Sequence, residues 1–292
     1  MFKTAGLRLG GMLLSTVFLA GCSLGGGNAE STFTGIAPVD PGPIHVHGLG
    51  VNPSDGALFI ATHTGLYRVG EGKSKATRVS DRYQDTMGFA VAGSDEFLGS
   101  GRPDARDLQA GTPPLLGFIR STDAGKTWEP VSLLGKADFH VLRFAGERVY
   151  GYDASGERLL ASQNGGRTWA EREAPGALID LAANPSRPGR LLASGTDRLY
   201  VSMDDGRSWQ PLNVAPGLLA WPVGHAIYRV EGDGSVSKSG DGGKSWLRVG
   251  DLGGEPAALL ATSETEVYAA LHDGTIKKSI DDGVTWTVRS SP

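Results

Sequence analysis

The chain has 292 residues, of which 44 are glycine and six are tryptophan. Glycine is about twice as frequent as in ordinary proteins, and the 39% hydrophobic fraction is too high for a disordered chain. The formal net charge of −4, with no block of basic residues, excludes a typical nucleic-acid partner. The single cysteine excludes a disulfide framework and any zinc site built from several cysteines. The composition therefore indicates a folded, turn-rich protein of many short strands.

The first segment is predicted to be an export signal rather than part of the fold. Residues 1–21 carry a positively charged start and an apolar run that is too short for a stable membrane span. The run ends in Ala20-Gly21-Cys22, which resembles the lipobox of bacterial lipoproteins. This resemblance implies that Cys22 is acylated and that residues 22–43, rich in Gly, Ser and Pro, form a flexible tether. We therefore expect a membrane-anchored lipoprotein of the cell envelope that faces away from the cytoplasm.

One motif, Ser-x-Asp-x-Gly-x-Thr-Trp with Asn or Ser at single positions, recurs five times in the rest of the chain. Its acceptor position is spaced 37 to 41 residues apart, a length typical of one four-stranded propeller blade. The acceptor residues are Asp123, Asn164, Asp204, Asp241 and Asp281. We expect the acceptor to bond the turn's own N–H groups, the glycine to take a positive φ, and the tryptophan to pack between sheets.

This motif resembles the Asp-box, or BNR repeat, of sialidase-like β-propellers. With its opening His45-Val-His47-Gly-Leu-Gly and its second-blade Met87-Gly-Phe, the chain is similar to exported bacterial propellers often labelled glycosyl hydrolase. The resemblance implies that each box joins the third and fourth strands of a blade. At about 40 residues a blade, residues 44–292 predict an all-β, six-bladed β-propeller whose first blade lacks a box.

The innermost strands of the blades can be aligned, because side chains on one face of a strand recur every second residue. The alignment places His47, Met87 and His140 at one level of three adjacent blades, with His45 one step further out. His63 lies in a turn that opens at the same end of the ring. Imidazole and thioether groups suit copper, and histidines alone suit zinc. The alternative is that the histidines only hold water in the channel and that Met87 fills a gap.

Glycoside hydrolysis is a second hypothesis, which follows from the family resemblance. Sialidases of this family need three arginines, a Tyr–Glu pair and an acidic residue, and this chain lacks the Arg-Ile-Pro motif that carries the first arginine. A different glycosidase needs two carboxylates that flank the bond, and the candidates at the mouth are Asp85, Asp138 and Asp153. These carboxylates are also explained as solvated loop residues or as partners that orient the histidines. The sequence therefore leaves enzymatic activity open.

A third hypothesis is a rigid platform for an envelope protein, since related rings include receptor ectodomains and photosystem assembly factors that bind proteins. The preferred prediction remains a lipid-anchored propeller that binds a ligand at its central mouth. Copper or zinc are the metals that fit the residues there, and no cofactor is fixed by the sequence.

Overall fold

A computed structural model describes residues 40–292, and these residues form six four-stranded antiparallel sheets. Each sheet is built from four consecutive strands, and the first strand of each sheet packs against the first strands of its two neighbours. The predicted all-β, six-bladed β-propeller is therefore confirmed. The predicted signal peptide, Cys22 and most of the predicted tether lie outside the described residues.

The strands of the six blades occupy equivalent positions from the channel to the outer edge. The first strands, which line the channel, are β1 (Val46–Val51), β5 (Asp85–Gly93), β9 (Phe139–Ala145), β13 (Leu178–Ala183), β17 (Leu218–Ala220) and β21 (Pro256–Ala261). The second strands are β2 (Leu58–Thr62), β6 (Glu96–Arg102), β10 (Arg148–Asp153), β14 (Leu191–Gly195), β18 (Ile227–Val230) and β22 (Val267–Leu271). The third strands are β3 (Gly65–Val69), β7 (Phe118–Ser121), β11 (Arg158–Ser162), β15 (Leu199–Ser202), β19 (Ser235–Ser239) and β23 (Ile276–Ser279). The outermost strands are β4 (Thr77–Arg78), β8 (Glu129–Ser132), β12 (Ala170–Arg172), β16 (Gln210–Pro211), β20 (Leu247–Asp251) and β24 (Thr287–Ser290).

A short helix, α1 (Ala105–Gln109), lies in the long connection between β6 and β7. The carboxylate of Asp104 caps it by accepting a hydrogen bond from the amide of Asp107 at 3.1 Å. The helix buries none of its residues, so it carries no apolar periodicity by which the sequence could have predicted it. No helix in residues 40–292 is long and apolar enough to cross a membrane.

The five repeated motifs form the turns between the third and fourth strands of blades two to six. In the first of them, Thr127 donates its amide N–H and its hydroxyl to the carboxylate of Asp123, at 2.9 and 2.6 Å. Gly125 follows with a φ of 80°, which a side chain would strain. Asn164 makes the second turn in the same way, since its amide oxygen accepts from the amide of Thr168 at 3.0 Å. The motif therefore closes hairpins by local hydrogen bonds.

The tryptophan of each motif packs toward the preceding blade. Trp169 of blade three lies with its ring centroid 5.4 Å from that of Phe118 in blade two and 5.0 Å from that of Phe139 in its own blade. Its indole N–H donates to the hydroxyl of Ser132 in blade two at 2.9 Å. Each motif thus supplies both a turn and part of the packing between neighbouring blades.

The ring closes between the sixth and first blades by side-by-side contacts, because each sheet contains only its own four strands. Arg289 donates from Nη2 to the carbonyl of Gly70, and the hydroxyl of Ser290 donates to the carbonyl of Ser74, both at 2.8 Å. Lys75 and Ser291 add a parallel β-bridge. Backbone acceptors of the first blade therefore hold the end of the last blade.

The chain enters the ring through Asp40, a residue of the predicted tether. Its carboxylate accepts hydrogen bonds from the hydroxyl of Tyr67 at 2.6 Å and from Nε of Arg78 at 3.0 Å. Burial and the hydrogen bond to Asp40 raise the pKa of Tyr67 to about 12. The packed part of the chain therefore includes the last residues of the segment that the sequence assigned to the tether.

Candidate functional site

The innermost strands carry a β-bulge at one level of five blades. The pairing of first and second strands there skips one residue of the first strand. The skipped residues are His47, Met87, His140, Ile179 and Ala257. All five line a cavity of about 180 Å³ at the end of the channel where the inner strands begin, which we call the histidine pocket. Bulges re-aim side chains beside functional sites, and here they turn one residue per blade toward the axis.

His63 reaches this end of the channel from the turn between β2 and β3. The centroid of its ring lies 4.3 Å from that of His47 and 5.3 Å from that of the exposed His45. Its Nδ1 lies 2.9 Å from a carboxylate oxygen of Asp85. One ligand atom from each of His47, His63 and Asp85 lies within 4.8 Å of the other two. The structure therefore gathers two of the predicted metal ligands, His47 and His63, and adds Asp85, which the sequence had placed among the mouth carboxylates.

His47 is the most unusual titratable group of the site. Its Nε2 is buried and has no hydrogen-bond partner among residues 40–292. Burial, assisted by the neighbouring His63, His140 and His45, lowers the pKa of His47 to about 4. The imidazole is therefore neutral at physiological pH and keeps the lone pair that a metal ion requires. A buried nitrogen without a partner costs free energy, which a bond to a metal ion would relieve.

His140 enters the histidine pocket from the third blade and is backed by a buried carboxylate. Its Nε2 lies 3.5 Å from Oδ2 of Asp138, which is 2% exposed. Arg102 donates to the same oxygen at 3.3 Å, while Oδ1 of Asp138 has no partner among residues 40–292. A carboxylate in this position orients an imidazole and makes it a better ligand. The thioether of Met87 lines the same pocket.

Asp153, the third carboxylate candidate, has its hydrogen-bonding capacity occupied. One of its oxygens accepts from the amide of Asp138 at 2.9 Å and the hydroxyl of Ser155 at 2.7 Å, and the other accepts from Arg158 at 2.6 Å. Burial alone raises the pKa of Asp153, but these hydrogen bonds outweigh burial and leave the pKa below its ordinary value. Its carboxylate therefore holds the start of β9, which carries Asp138 and His140 to the pocket.

Two further histidines lie outside the residues that line the histidine pocket. His225 is exposed and its Nε2 lies 3.1 Å from a carboxylate oxygen of Glu264. His272 is also exposed and lies 3.8 Å from Glu255. These surface pairs are screened by solvent, so both histidines serve as internal controls for the site.

An ion pair, Arg143 with Asp180, also lines the histidine pocket. Nη2 of Arg143 lies 2.6 Å from Oδ1 of Asp180, which reaches it from the next blade. The buried carboxylate of Asp180 also accepts hydrogen bonds from the amides of Leu181 and Leu219, at 2.7 and 2.8 Å. The sequence did not predict this pair, because it joins three blades and no motif marks it.

No family model matches the chain. A dispase autolysis-inducing protein of Streptomyces mobaraensis is 32% identical over 111 residues, which are 37% of this chain and 28% of the relative. A xyloglucanase of a Paenibacillus species is 25% identical over 188 residues, which are 56% of this chain and 18% of the enzyme. The chain therefore spans less than a third of the length of either relative.

Solved structures share the fold at low sequence identity. The GH74 xyloglucanase of Xanthomonas campestris is 20% identical with a TM-score of 0.54, over 85% of this chain and 45% of the enzyme. A YCF48 structure bound to D1 peptide is 17% identical with a TM-score of 0.52, over 85% of this chain and 83% of that one. A chain of a nidogen–laminin complex is 12% identical with a TM-score of 0.62, over 81% and 93% of the two chains. This protein is a six-bladed β-propeller with structural neighbours among xyloglucanases and YCF48 proteins.

Proposed function

We propose that this protein binds a copper or zinc ion between His47, His63 and Asp85, beside the histidine pocket that His47 also lines. Two observations carry the proposal: one ligand atom from each of His47, His63 and Asp85 lies within 4.8 Å of the other two, and His47 keeps a buried Nε2 without a partner among residues 40–292. In a tetrahedral site with bonds of 2.0–2.1 Å, ligand atoms lie about 3.4 Å apart. Small side-chain rotations would therefore bring these three atoms to bonding distance.

The residues of the adjoining histidine pocket favour copper over zinc. His140, held by Asp138, supplies a further imidazole, and Met87 supplies a thioether from the blade between the two strand histidines. Thioether ligands select copper(I), whereas imidazole and carboxylate ligands accept copper(II) and zinc. The mixed ligand set would hold copper in both of its oxidation states.

The first test is titration of the full chain with copper(I), copper(II) and zinc, each against a competing chelator. We expect one ion per chain, and the double variant His47→Ala/His140→Ala should weaken binding at least 100-fold. The matched control is His225→Ala/His272→Ala, which removes two exposed histidines outside the pocket and should bind as the parent does. Undiminished binding by the first double variant, with an unchanged circular dichroism spectrum, would contradict the site.

We further propose that Cys22 anchors the protein to a membrane of the cell envelope, with the propeller outside the cytoplasm. The proposal is supported by the sequence that precedes the only cysteine of the chain. The mass of the mature protein tests it. The parent should begin at a lipid-modified Cys22, and Cys22→Ser should lose the modification and leave the membrane fraction.

A glycoside hydrolase is the alternative, and its support is the 25% identity to a xyloglucanase. The carboxylates that could act are Asp85 and Asp138, since the carboxylate of Asp153 is held by hydrogen bonds from its neighbours. Incubation with xyloglucan and with chromogenic glycosides, including a sialoside, tests this alternative. Turnover that disappears in Asp85→Asn/Asp138→Asn would establish the hydrolase and displace metal binding as the main function.

A platform for an envelope protein is the second alternative. It is supported by the YCF48 structure bound to D1 peptide and by the propeller of the nidogen–laminin complex. Crosslinking on intact cells tests it. A partner retained by His47→Ala/His140→Ala but lost on substitution of the blade rims would favour the platform over the metal site.

A further inference from the structure

The opposite end of the channel holds a second cavity of about 510 Å³, which we call the apolar pocket. Its wall is built from the far ends of the inner strands and the residues that follow them. Each blade contributes at least one apolar residue, as with Val51, Val91, Phe144, Ala183, Trp221 and Ala261. The volume lies within the range of small-molecule sites. The pocket is therefore large enough for a ligand of its own, apart from any metal ion at the histidine pocket.

The charges in this pocket compensate each other. Among residues 40–292, Arg143 is the only charged side chain that lines it, and its partner is Asp180 at 2.6 Å. Thr262 also lines the pocket, and its hydroxyl donates to Glu266 at 2.9 Å. A charged ligand would leave its charge unpaired among apolar side chains, which is costly. The pocket therefore suits an uncharged molecule.

Arg143 nevertheless keeps hydrogen-bonding capacity. A guanidinium has five N–H groups, and the protein accepts from two of its nitrogens: Nη1 donates to the carbonyl of Leu142 at 2.8 Å and Nη2 to Asp180. The side chain is 30% exposed and faces the cavity that the six blades enclose. A ligand atom with a lone pair, such as a carbonyl or ether oxygen, would satisfy a remaining N–H.

We propose that the apolar pocket binds an uncharged, mainly apolar small molecule that places one hydrogen-bond acceptor against Arg143. Binding removes the apolar faces of all six inner strands from water, which is the source of its affinity. The apolar pocket adjoins the histidine pocket, since Leu49, Phe89, Arg143 and Leu259 line both, but none of the five bulge residues lines the apolar pocket.

The test uses Nile red, an uncharged apolar dye with a carbonyl group, titrated into the full chain. Two alanines on the same strand give a matched pair, since Ala261 lines the apolar pocket and Ala257 lines the histidine pocket. Ala261→Phe fills the proposed site and should weaken Nile red binding at least tenfold. Ala257→Phe adds the same bulk at the other end and should bind the dye as the parent does.

A second variant guards against a folding defect in the first. Ala90→Phe fills the apolar pocket from another blade and should give the same loss. The anionic dye 8-anilinonaphthalene-1-sulfonate should bind at least tenfold more weakly than Nile red. The proposal is overturned if the parent shows no saturable Nile red binding, if both filling variants bind as the parent does, or if the anionic dye binds equally well.

Discussion

The same six inner strands form both ends of the channel, but one end carries histidines and the other end is mainly apolar. At the end where the strands begin, β1 presents His47 in a bulge, and four residues later, at the other end, it presents Val51. β9 does the same with His140 and Phe144. The repeat therefore determines where each inner side chain lies, whereas the residue type at each position determines whether that end is polar or apolar. One level of the ring carries imidazole and thioether side chains, and the other end is mainly apolar.

The bulge level is itself unequal around the ring. Blades one to three place His47, Met87 and His140 there, whereas blades four and six place Ile179 and Ala257. The His and Met side chains therefore lie on one half of this level, and the proposed metal site rests on that asymmetry.

The largest expected effect concerns the ion pair that lies between the two pockets. Arg143→Met leaves the carboxylate of Asp180 buried without its partner, so unfolding should become easier by about 3 to 5 kcal/mol. Urea denaturation measures this change. Arg248→Met breaks an exposed pair with Asp251 and should change stability by less than about 1 kcal/mol. Equal effects of the two variants would mean that the Arg143–Asp180 pair stabilises the fold no more than an exposed ion pair does.

A second prediction uses pH to distinguish the two ends. The pKa of His47 is about 4 in the folded chain, below its ordinary value of 6.5, so between these values only the unfolded chain takes up the proton. Stability linked to His47 is complete above pH 6.5 and falls as the pH drops toward 4. His47→Gln should therefore flatten the fall of Tm across this window.

Val51→Ala, at the apolar end, provides the control for the pH experiment. It should lower Tm by a similar amount at every pH, because it removes apolar contacts and no titrating group. If Tm falls as steeply with decreasing pH in His47→Gln as in the parent, groups other than His47 determine the acid sensitivity.

The smallest expected effect concerns Met87. Met87→Leu keeps the apolar volume and removes the sulfur, so copper(I) binding should weaken about tenfold while zinc binding changes by less than about threefold. Competition titrations with both metals measure the ratio. Nile red binding should not change, since Met87 lines only the histidine pocket of the two. An equal loss for both metals would remove the thioether from the proposed ligand set.

Much of this architecture followed from the sequence because the repeat is local. The turn at Asp123 is built from residues within four positions of one another, so its motif can be recognised in the chain. Equivalent inner positions such as His47 and His140 could be aligned by the same repeat. Contacts between blades could not be predicted in this way. The pair of Arg143 with Asp180 spans 37 positions, and the contact of His63 with Asp85 joins two neighbouring blades.

The bulges illustrate a subtler limit. Alternation along β1 and β9 predicts that His47 and His140 lie at one level. It does not predict the bulges at these residues, because no particular residue type marks a bulge in the sequence. The sequence likewise could not predict that Nε2 of His47 has no hydrogen-bond partner among residues 40–292, because this depends on which groups surround it in the folded ring.

The last blade meets the first through contacts between two separate sheets, so the ring does not require any particular blade to come first in the chain. Pro292 lies beside Gly42 at the seam, so a short peptide could join the two ends of the packed ring. The chain could then be reopened in any connection between blades, such as 133–138, to give circular permutants with the same packing. In such a permutant His140 would lie near one end of the polypeptide and His47 and Met87 near the other, and folding would reunite them. Under the proposed function, metal binding by the permutant would then report that the ring had closed.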